Sequence, residues 1–220
     1  MKNSRKLIGK EMKLAASLLS WLFISFALMA LIPGYPILVG AFFVCFGIFQ
    51  SVQSGRENND LLYTVLLPVS KTDAVKAKYR FAVLIEMISF IISFVITMIR
   101  MTVMAKAAPY VTNPMMNANQ AYLAYILLIF ALFNWIFLCG FFKTAYKFGL
   151  PFILFIVLSF LLIIVVEVLH HIPGLEFLND TDTLCSTTMW IILAAGFVIY
   201  AVVTAVSCKV AMKRFERVDM

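Results

Sequence analysis

Three ionisable residues stand inside long apolar runs of this 220-residue chain: Glu86, Arg100 and Glu167. A charged side chain is costly in hydrocarbon, so residues of this kind predict a functional site by default. Glu86 and Arg100 share one run with hydroxyl residues at helical spacing. At about 100° per residue, five side chains form one polar stripe about 21 Å long: Glu86, Ser89, Ser93, Thr97 and Arg100.

Two interpretations of this polar stripe are open. In the first, the stripe lines the path of a polar or amphipathic substrate. In the second, its members make interhelical hydrogen bonds, while the two charged groups reach toward water. We favour the first, because Ser and Thr can bond to their own backbone whereas Glu86 cannot be satisfied in that way.

Other chemistry is not indicated. Glu167 and His170 share a helix face, with His171 beside them, but a di-iron site would need a second such motif and more carboxylates. We therefore predict a solvated cap there and no metal site. The sequence contains no phosphate-binding G-x-x-x-x-G-K-[ST], no G-x-S-x-G and no H-E-x-x-H. The chain is accordingly predicted to have no catalytic residues, not to be an enzyme and to hold no cofactor of its own.

The composition identifies the elements that must position these residues. With 63% hydrophobic residues, 13% charged residues and 21 Phe, the chain is not a soluble domain. Six apolar runs are long enough to cross a hydrocarbon core of about 30 Å, at about residues 14–32, 35–52, 81–105, 121–142, 148–169 and 187–208. The predicted fold is an all-α polytopic membrane protein, with six transmembrane helices in one domain over residues 1–220.

The basic residues predict the orientation. All Lys and Arg residues except Arg100 and Lys106 fall on one side of the six runs. Because such residues are retained in the cytoplasm, both termini are predicted to be cytoplasmic. The net charge of +7 then reflects topology and not nucleic-acid binding. Residues 4–14 mix basic and apolar side chains, which suits either an interfacial helix or a positive flank that only sets topology.

Small residues line one face of the second run, at Gly40, Gly47 and Ser51. This spacing lets another helix approach closely, so it predicts a packing seam. Whether that seam lies within one subunit or across a dimer is open.

The inner connection at about residues 53–79 is the longest on its side. Asn59 or Asp60 can cap a short apolar helix that Pro68 ends. Ser70 and Asp73 then form a capping box that opens the next helix. The short helix must bury its apolar face against the membrane, against the underside of the bundle, or in a groove of a cytosolic partner.

The same connection carries a family resemblance. The acidic residue at Glu57, the short apolar helix, the run LPVSK at 67–71 and the run AVKAKY at 74–79 resemble the loop after the second span of small bacterial type-2 ABC transporter permeases. The six-span layout, the cytoplasmic termini and the basic N-terminal stretch are also similar. The resemblance therefore covers nearly the whole chain.

The resemblance implies a role for this loop and a set of partners. The short helix would be a coupling helix that docks on a cytosolic ABC ATPase, which would bind the ATP and Mg. Its contact residues would be Glu57, Asp60, Leu61, Leu62, Tyr63 and Leu66. A second permease subunit, identical or different, would complete the pore in the bacterial cytoplasmic membrane.

The resemblance extends to permeases that export phenol-soluble modulins or that confer lantibiotic self-protection, which implies an amphipathic, antimicrobial or toxin peptide as substrate. Two alternatives stay open: a proton-coupled secondary transporter that uses Glu86 or Glu167, and a membrane scaffold that transports nothing.

Overall fold

The computed structural model describes residues 9, 18–60, 64, 69–181, 184 and 186–218, and this part of the chain is helical with no strand. Six long helical elements follow the six apolar runs: α1 (Leu18–Phe23, continued by a 3-10 helix, Ile24–Leu31), α2 (Val39–Glu57), α3 (Lys71–Thr102), α4 (Gln120–Leu132, continued by a π-helix, Phe133–Leu138, and a last turn, Cys139–Phe141), α5 (Gly149–Leu169) and α6 (Thr187–Glu216). Two short helices, Ala108–Val111 and Glu176–Asn179, have their full ranges within the described parts of the connections.

Among the described residues, four of these elements are long and apolar enough to cross a membrane, namely α3, α4, α5 and α6. The apolar part of α1, Ser20–Leu31, is shorter. The last turns of α2 carry polar residues, including Gln50, Gln53 and Arg56. A polytopic helical membrane protein is thus confirmed, whereas the number of six spans and the orientation of the termini stay predictions.

The connections that hold most of the Lys and Arg residues meet at one end of the bundle, which we call the basic end. There the Arg56 guanidinium lies 4.7 Å from the centre of the Tyr146 ring, so the α2 terminus contacts the link between α4 and α5. Lys71 Nζ donates to the Val218 carbonyl oxygen at 2.7 Å, which joins the start of α3 to the residues after α6.

The remaining connections meet at the opposite end. The tight turn between α1 and α2 has Gly34 at a φ of +72°, a conformation that favours glycine. Gly34 N–H donates to Asn113 Oδ1 at 3.0 Å, and Tyr110 Oη donates to the Leu31 carbonyl oxygen at 2.9 Å. The long helices therefore alternate in direction between two ends, as spans joined by short links require.

The loop between α2 and α3 is described at its two edges. Asn59 has a φ of 52°, a left-handed conformation that Asn tolerates, and it turns the chain after α2. The predicted cap of α3 is confirmed, since Ser70 Oγ accepts from Asp73 N–H at 3.1 Å. Asp60 and Thr64 are helical. Leu61, Leu62, Tyr63 and Leu66 lie outside the described residues, as does the proposed interfacial helix apart from Gly9.

Phenylalanine rings form the centre of the bundle between α2, α4 and α5. Phe49 stacks on Phe152 with ring centroids 3.7 Å apart, and Phe137 meets Phe49 edge to face at 5.4 Å. Such pairs stabilise a core beyond the area that they bury. The outward face of α5 is apolar instead, with Ile153, Val157 and Leu161 all more than half exposed, as a surface toward hydrocarbon should be.

Candidate functional site

The predicted polar stripe of α3 lies inside the bundle. All five of its side chains are at most 3% exposed. The stripe faces α4 through Ser93, which hydrogen-bonds with the Tyr122 hydroxyl. Arg100 of the stripe hydrogen-bonds to α1. Glu86 hydrogen-bonds to both α4 and α6.

Glu86 joins three helices. Its Oε2 atom accepts from Tyr200 Oη at 2.6 Å and from Asn134 Nδ2 at 3.0 Å. Asn134 Nδ2 also donates to Thr204 Oγ1 at 3.1 Å. Within the described part of the chain, Glu86 Oε1 and Asn134 Oδ1 are buried and have no hydrogen-bond partner. The cluster therefore links α3, α4 and α6 through neutral donors and leaves one carboxyl oxygen open to a further donor.

Asn134 reaches this cluster from the π-helical segment of α4. In that segment Cys139 N–H donates to the Asn134 carbonyl oxygen, a bond that spans five residues. The same oxygen accepts from Ser207 Oγ at 2.5 Å and from Tyr79 Oη at 3.2 Å. Single π turns inside α-helices are frequent at functional sites. Sequence analysis did not identify Asn134, although a lone amide in an apolar span is a signal for interhelical hydrogen bonding.

Arg100 closes the stripe at the opposite end. Its guanidinium donates to the Ala30 carbonyl oxygen at 2.7 Å and to Asn117 Oδ1 at 3.1 Å, and it lies 4.0 Å from the centre of the Tyr110 ring. These contacts are those that the interhelical hydrogen-bonding interpretation requires. A substrate would reach the stripe only if α3 separated from its neighbours, so the path role stays a prediction.

A buried ion pair anchors the loop at the basic end. Lys78 Nζ lies 3.0 Å from Asp60 Oδ2, and the two side chains are only 6% and 8% exposed. Thr64 Oγ1 donates to the Asp60 carbonyl oxygen at 2.7 Å. Glu57, by contrast, is exposed and accepts from Gln53 Nε2 at 3.2 Å. Sequence analysis counted Lys78 among the topological charges and within the run AVKAKY, and nothing in the spacing of Asp60 and Lys78 indicated their pairing.

The predicted small-residue seam of α2 faces α1 within the same subunit. A Cβ atom added at Gly40 would come within 2.5 Å of the Phe26 carbonyl oxygen, and one added at Gly47 within 2.7 Å of Phe23 Cβ. Ser20 Oγ donates to the Gly47 carbonyl oxygen at 2.8 Å and also hydrogen-bonds with Ser51 Oγ. Backbones can approach this closely only where side chains are small.

The cluster at the end of α5 differs from the predicted solvated cap. Glu167 Oε2 accepts from Met116 N–H at 3.0 Å. His170 is buried, and neither of its ring nitrogens has a hydrogen-bond partner among the described residues. The prediction is therefore wrong for His170, because the connection that carries Met116 folds over this end of α5. His171 is exposed, and its ring centroid lies 4.1 Å from that of His170.

A helical bundle with an apolar surface and a buried polar centre is typical of a membrane protein. The model of the family described as ABC-2 family transporter protein matches residues 3–216. The chain therefore belongs to the ABC-2 family of transporter proteins. It is the membrane-spanning permease component and not the ATPase, and membership implies a separate ATPase subunit as partner. No curated protein and no solved structure matches the chain.

Proposed function

We propose that this permease is the translocating subunit of an ATP-driven exporter in the bacterial cytoplasmic membrane. The basic end faces the cytoplasm, since Lys and Arg are retained on that side. The short helix predicted at about residues 60–67 is the coupling helix, and an ABC ATPase that binds ATP and Mg docks against it. Two permease subunits, identical or different, pair to enclose the path.

The buried pair between Asp60 and Lys78 carries this proposal. Asp60 is the first residue of the proposed coupling helix, and Lys78 belongs to the first two turns of α3. A buried ion pair resists separation, because the two charges would lose their mutual attraction in a place that water does not reach. Displacement of the coupling helix by an ATPase is therefore transmitted to α3, the helix that carries the polar stripe.

We propose amphipathic peptides, including antimicrobial or toxin peptides, as the substrates. Outward movement of α3 would expose one stripe of hydroxyl and charged groups inside the bundle of a chain that holds 21 Phe and 12 Met. An amphipathic helix has the complementary arrangement, with one polar and one apolar face. Met side chains adapt to ligands of varied shape, which suits a transporter of related peptides.

A proton-coupled secondary transporter is the second candidate. The buried Oε1 atom of Glu86 favours it, because this oxygen has no hydrogen-bond partner among the described residues and could take up a proton, which removes a buried charge. Glu167 has a buried Oε1 atom of the same kind. This candidate requires transport without an ATPase, whereas the exporter requires one.

Replacing Leu62 or Tyr63 with Asp should abolish the recovery of an ATPase with the permease from the native membrane. A charge on an apolar docking face is costly to bury, so the complex should dissociate. The measurement is the amount of ATPase recovered for each permease. Val111→Asp adds the same charge at a site that is 66% exposed at the opposite end, and recovery should persist. A folded wild-type permease that brings no ATPase would instead favour the secondary transporter.

Removing two hydroxyl groups from the stripe, by Ser93→Ala with Thr97→Val, should lower peptide export severalfold and leave the subunit folded. Ala and Val are chosen because both positions are buried, and larger side chains would overpack the site. Thr97 Oγ1 has no hydrogen-bond partner among the described residues, and loss of the Ser93 bond should cost about 1 kcal/mol.

Peptide export by the reconstituted complex measures this effect, and the melting temperature reports on folding. Ser159→Ala is the matched control, since it removes a buried hydroxyl from α5, away from the stripe. Export that stays unchanged in a stably folded double variant would assign the stripe to interhelical hydrogen bonding alone.

A further inference from the structure

A groove of about 700 Å³ opens between α3 and α6 at the basic end. Its α3 wall is apolar and includes Val83, Met87 and Ile91. On α6 the small residues Ala201 and Ala205 are exposed and leave the groove unfilled. This surface is thus a channel between two membrane helices and not a closed cavity in the core.

Two basic side chains stand at the mouth of this groove. Lys76 and Arg80 line it on the same face of α3 as Val83, one to two turns closer to the basic end. Arg80 is exposed. Lys76 lies 3.8 Å from Asp73, but both members of that pair are more than 40% exposed, and pairs of this kind contribute little. A stronger anionic group can therefore compete for Lys76.

The dimensions of the groove fit one membrane leaflet. From Val83 to Ile91 the α3 wall is about 12 Å long at the rise of an α-helix. Half of a hydrocarbon core of about 30 Å is about 15 Å. The apolar wall therefore spans most of one leaflet, and the basic pair lies where the phosphate groups of that leaflet begin.

We propose that this groove binds one anionic phospholipid from the leaflet at the basic end. The phosphate of the lipid contacts Lys76 and Arg80, and one acyl chain lies along Val83, Met87 and Ile91 against Ala201 and Ala205. Basic pockets between membrane helices have the chemistry that anionic head groups require. A zwitterionic lipid offers the same chain with no net charge, so binding should discriminate between the two.

Charge argues against two other occupants. The first 17 residues of the chain hold five basic residues and one acidic residue, Glu11, so their net charge has the same sign as that of Lys76 and Arg80. A second copy of the chain bound at this groove would bring its own basic end beside Lys76 and Arg80, because both copies have the same orientation in the membrane. An anionic lipid neutralises the same charges.

Native mass spectrometry of the full-length permease, with phosphatidylglycerol and phosphatidylcholine added in equal amounts, tests the proposal. The wild type should retain phosphatidylglycerol at least roughly tenfold better, given the contribution of each basic residue near an anionic head group. Lys76→Gln with Arg80→Gln should reduce that preference to about twofold or less. Lys143→Gln with Lys147→Gln removes the same charge from exposed sites at the same end and should keep the preference.

Ala205→Phe provides a second variant, because it fills the groove from an exposed position and leaves the basic pair intact. It should lower the retention of both lipids. Equal retention of the two lipids by the wild type would overturn the proposal, as would an equal loss of preference in the Lys143 and Lys147 control. Normal lipid retention by Ala205→Phe, or a groove that is covered by a second copy in the purified dimer, would overturn it as well.

Discussion

Replacing Lys78 with Met should destabilise the permease by about 3 to 5 kcal/mol, because it removes the cation that lies 3.0 Å from the buried Asp60 carboxylate. The two side chains are almost fully enclosed, so solvent cannot take the place of the lost partner. We also expect ATP hydrolysis by the reconstituted complex to lose its dependence on the transported peptide. Unfolding in a denaturing detergent measures the first effect, and ATPase assays measure the second.

The double variant Asp60→Leu with Lys78→Met separates stability from coupling. An apolar pair of similar volume removes both buried charges together, so most of the lost stability should return. Lys143→Met is the control for loss of a lysine at an exposed site at the same end. If Lys78→Met were no more destabilising than Lys143→Met, the pair would not anchor the loop.

The second large effect is expected at the opposite end, from Arg100→Met. Hydrogen bonds to a charged group contribute about 1.5 to 3 kcal/mol each, and Arg100 makes two from a buried position. The variant leaves the Ala30 carbonyl oxygen and Asn117 Oδ1 without this donor. We therefore expect a loss of about 3 kcal/mol or more in the free energy of unfolding, measured in the same denaturing detergent.

Arg100→Lys should recover only part of this stability, because an ammonium group lacks the planar fork of donors that reaches both acceptors. Lys106→Met is the matched control, since Lys106 is an exposed cation at the same end. Equal stability of the Arg100→Met and Lys106→Met variants would show that the guanidinium contributes no interhelical bonding.

The sequence predicted the helices better than their contacts, for a physical reason. Apolar runs and a capping box are local signals, and they located α3 and its first residue, Lys71. The partners of Glu86 come from α4 and α6, which are apolar on nearly every face. Uniform hydropathy does not indicate which face of such a helix turns inward, so Asn134 and Tyr200 were not paired with Glu86 in advance.

The first apolar run illustrates a further limit of sequence-based prediction. Hydropathy predicts a helix there, but eight of its residues, Ile24–Leu31, form a 3-10 helix. The contacts that accompany this geometry are distant in the chain: the Ala30 carbonyl accepts from Arg100, and the Leu31 carbonyl accepts from Tyr110. A 3-10 helix rises about 2.0 Å per residue, so this short run reaches farther than an α-helix of equal length.

The three anchors of α3 restrict the ways in which that helix can move. Lys78, Glu86 and Arg100 are each held by other segments, and they span 22 residues, or about 33 Å at the rise of an α-helix. Rotation of α3 about its own axis, or sliding by one turn, would break all three attachments together. A tilt about one anchor would preserve that anchor while the other two break one after the other. The three contacts therefore favour a tilt of the α3 axis over a rotation about it or a translation along it.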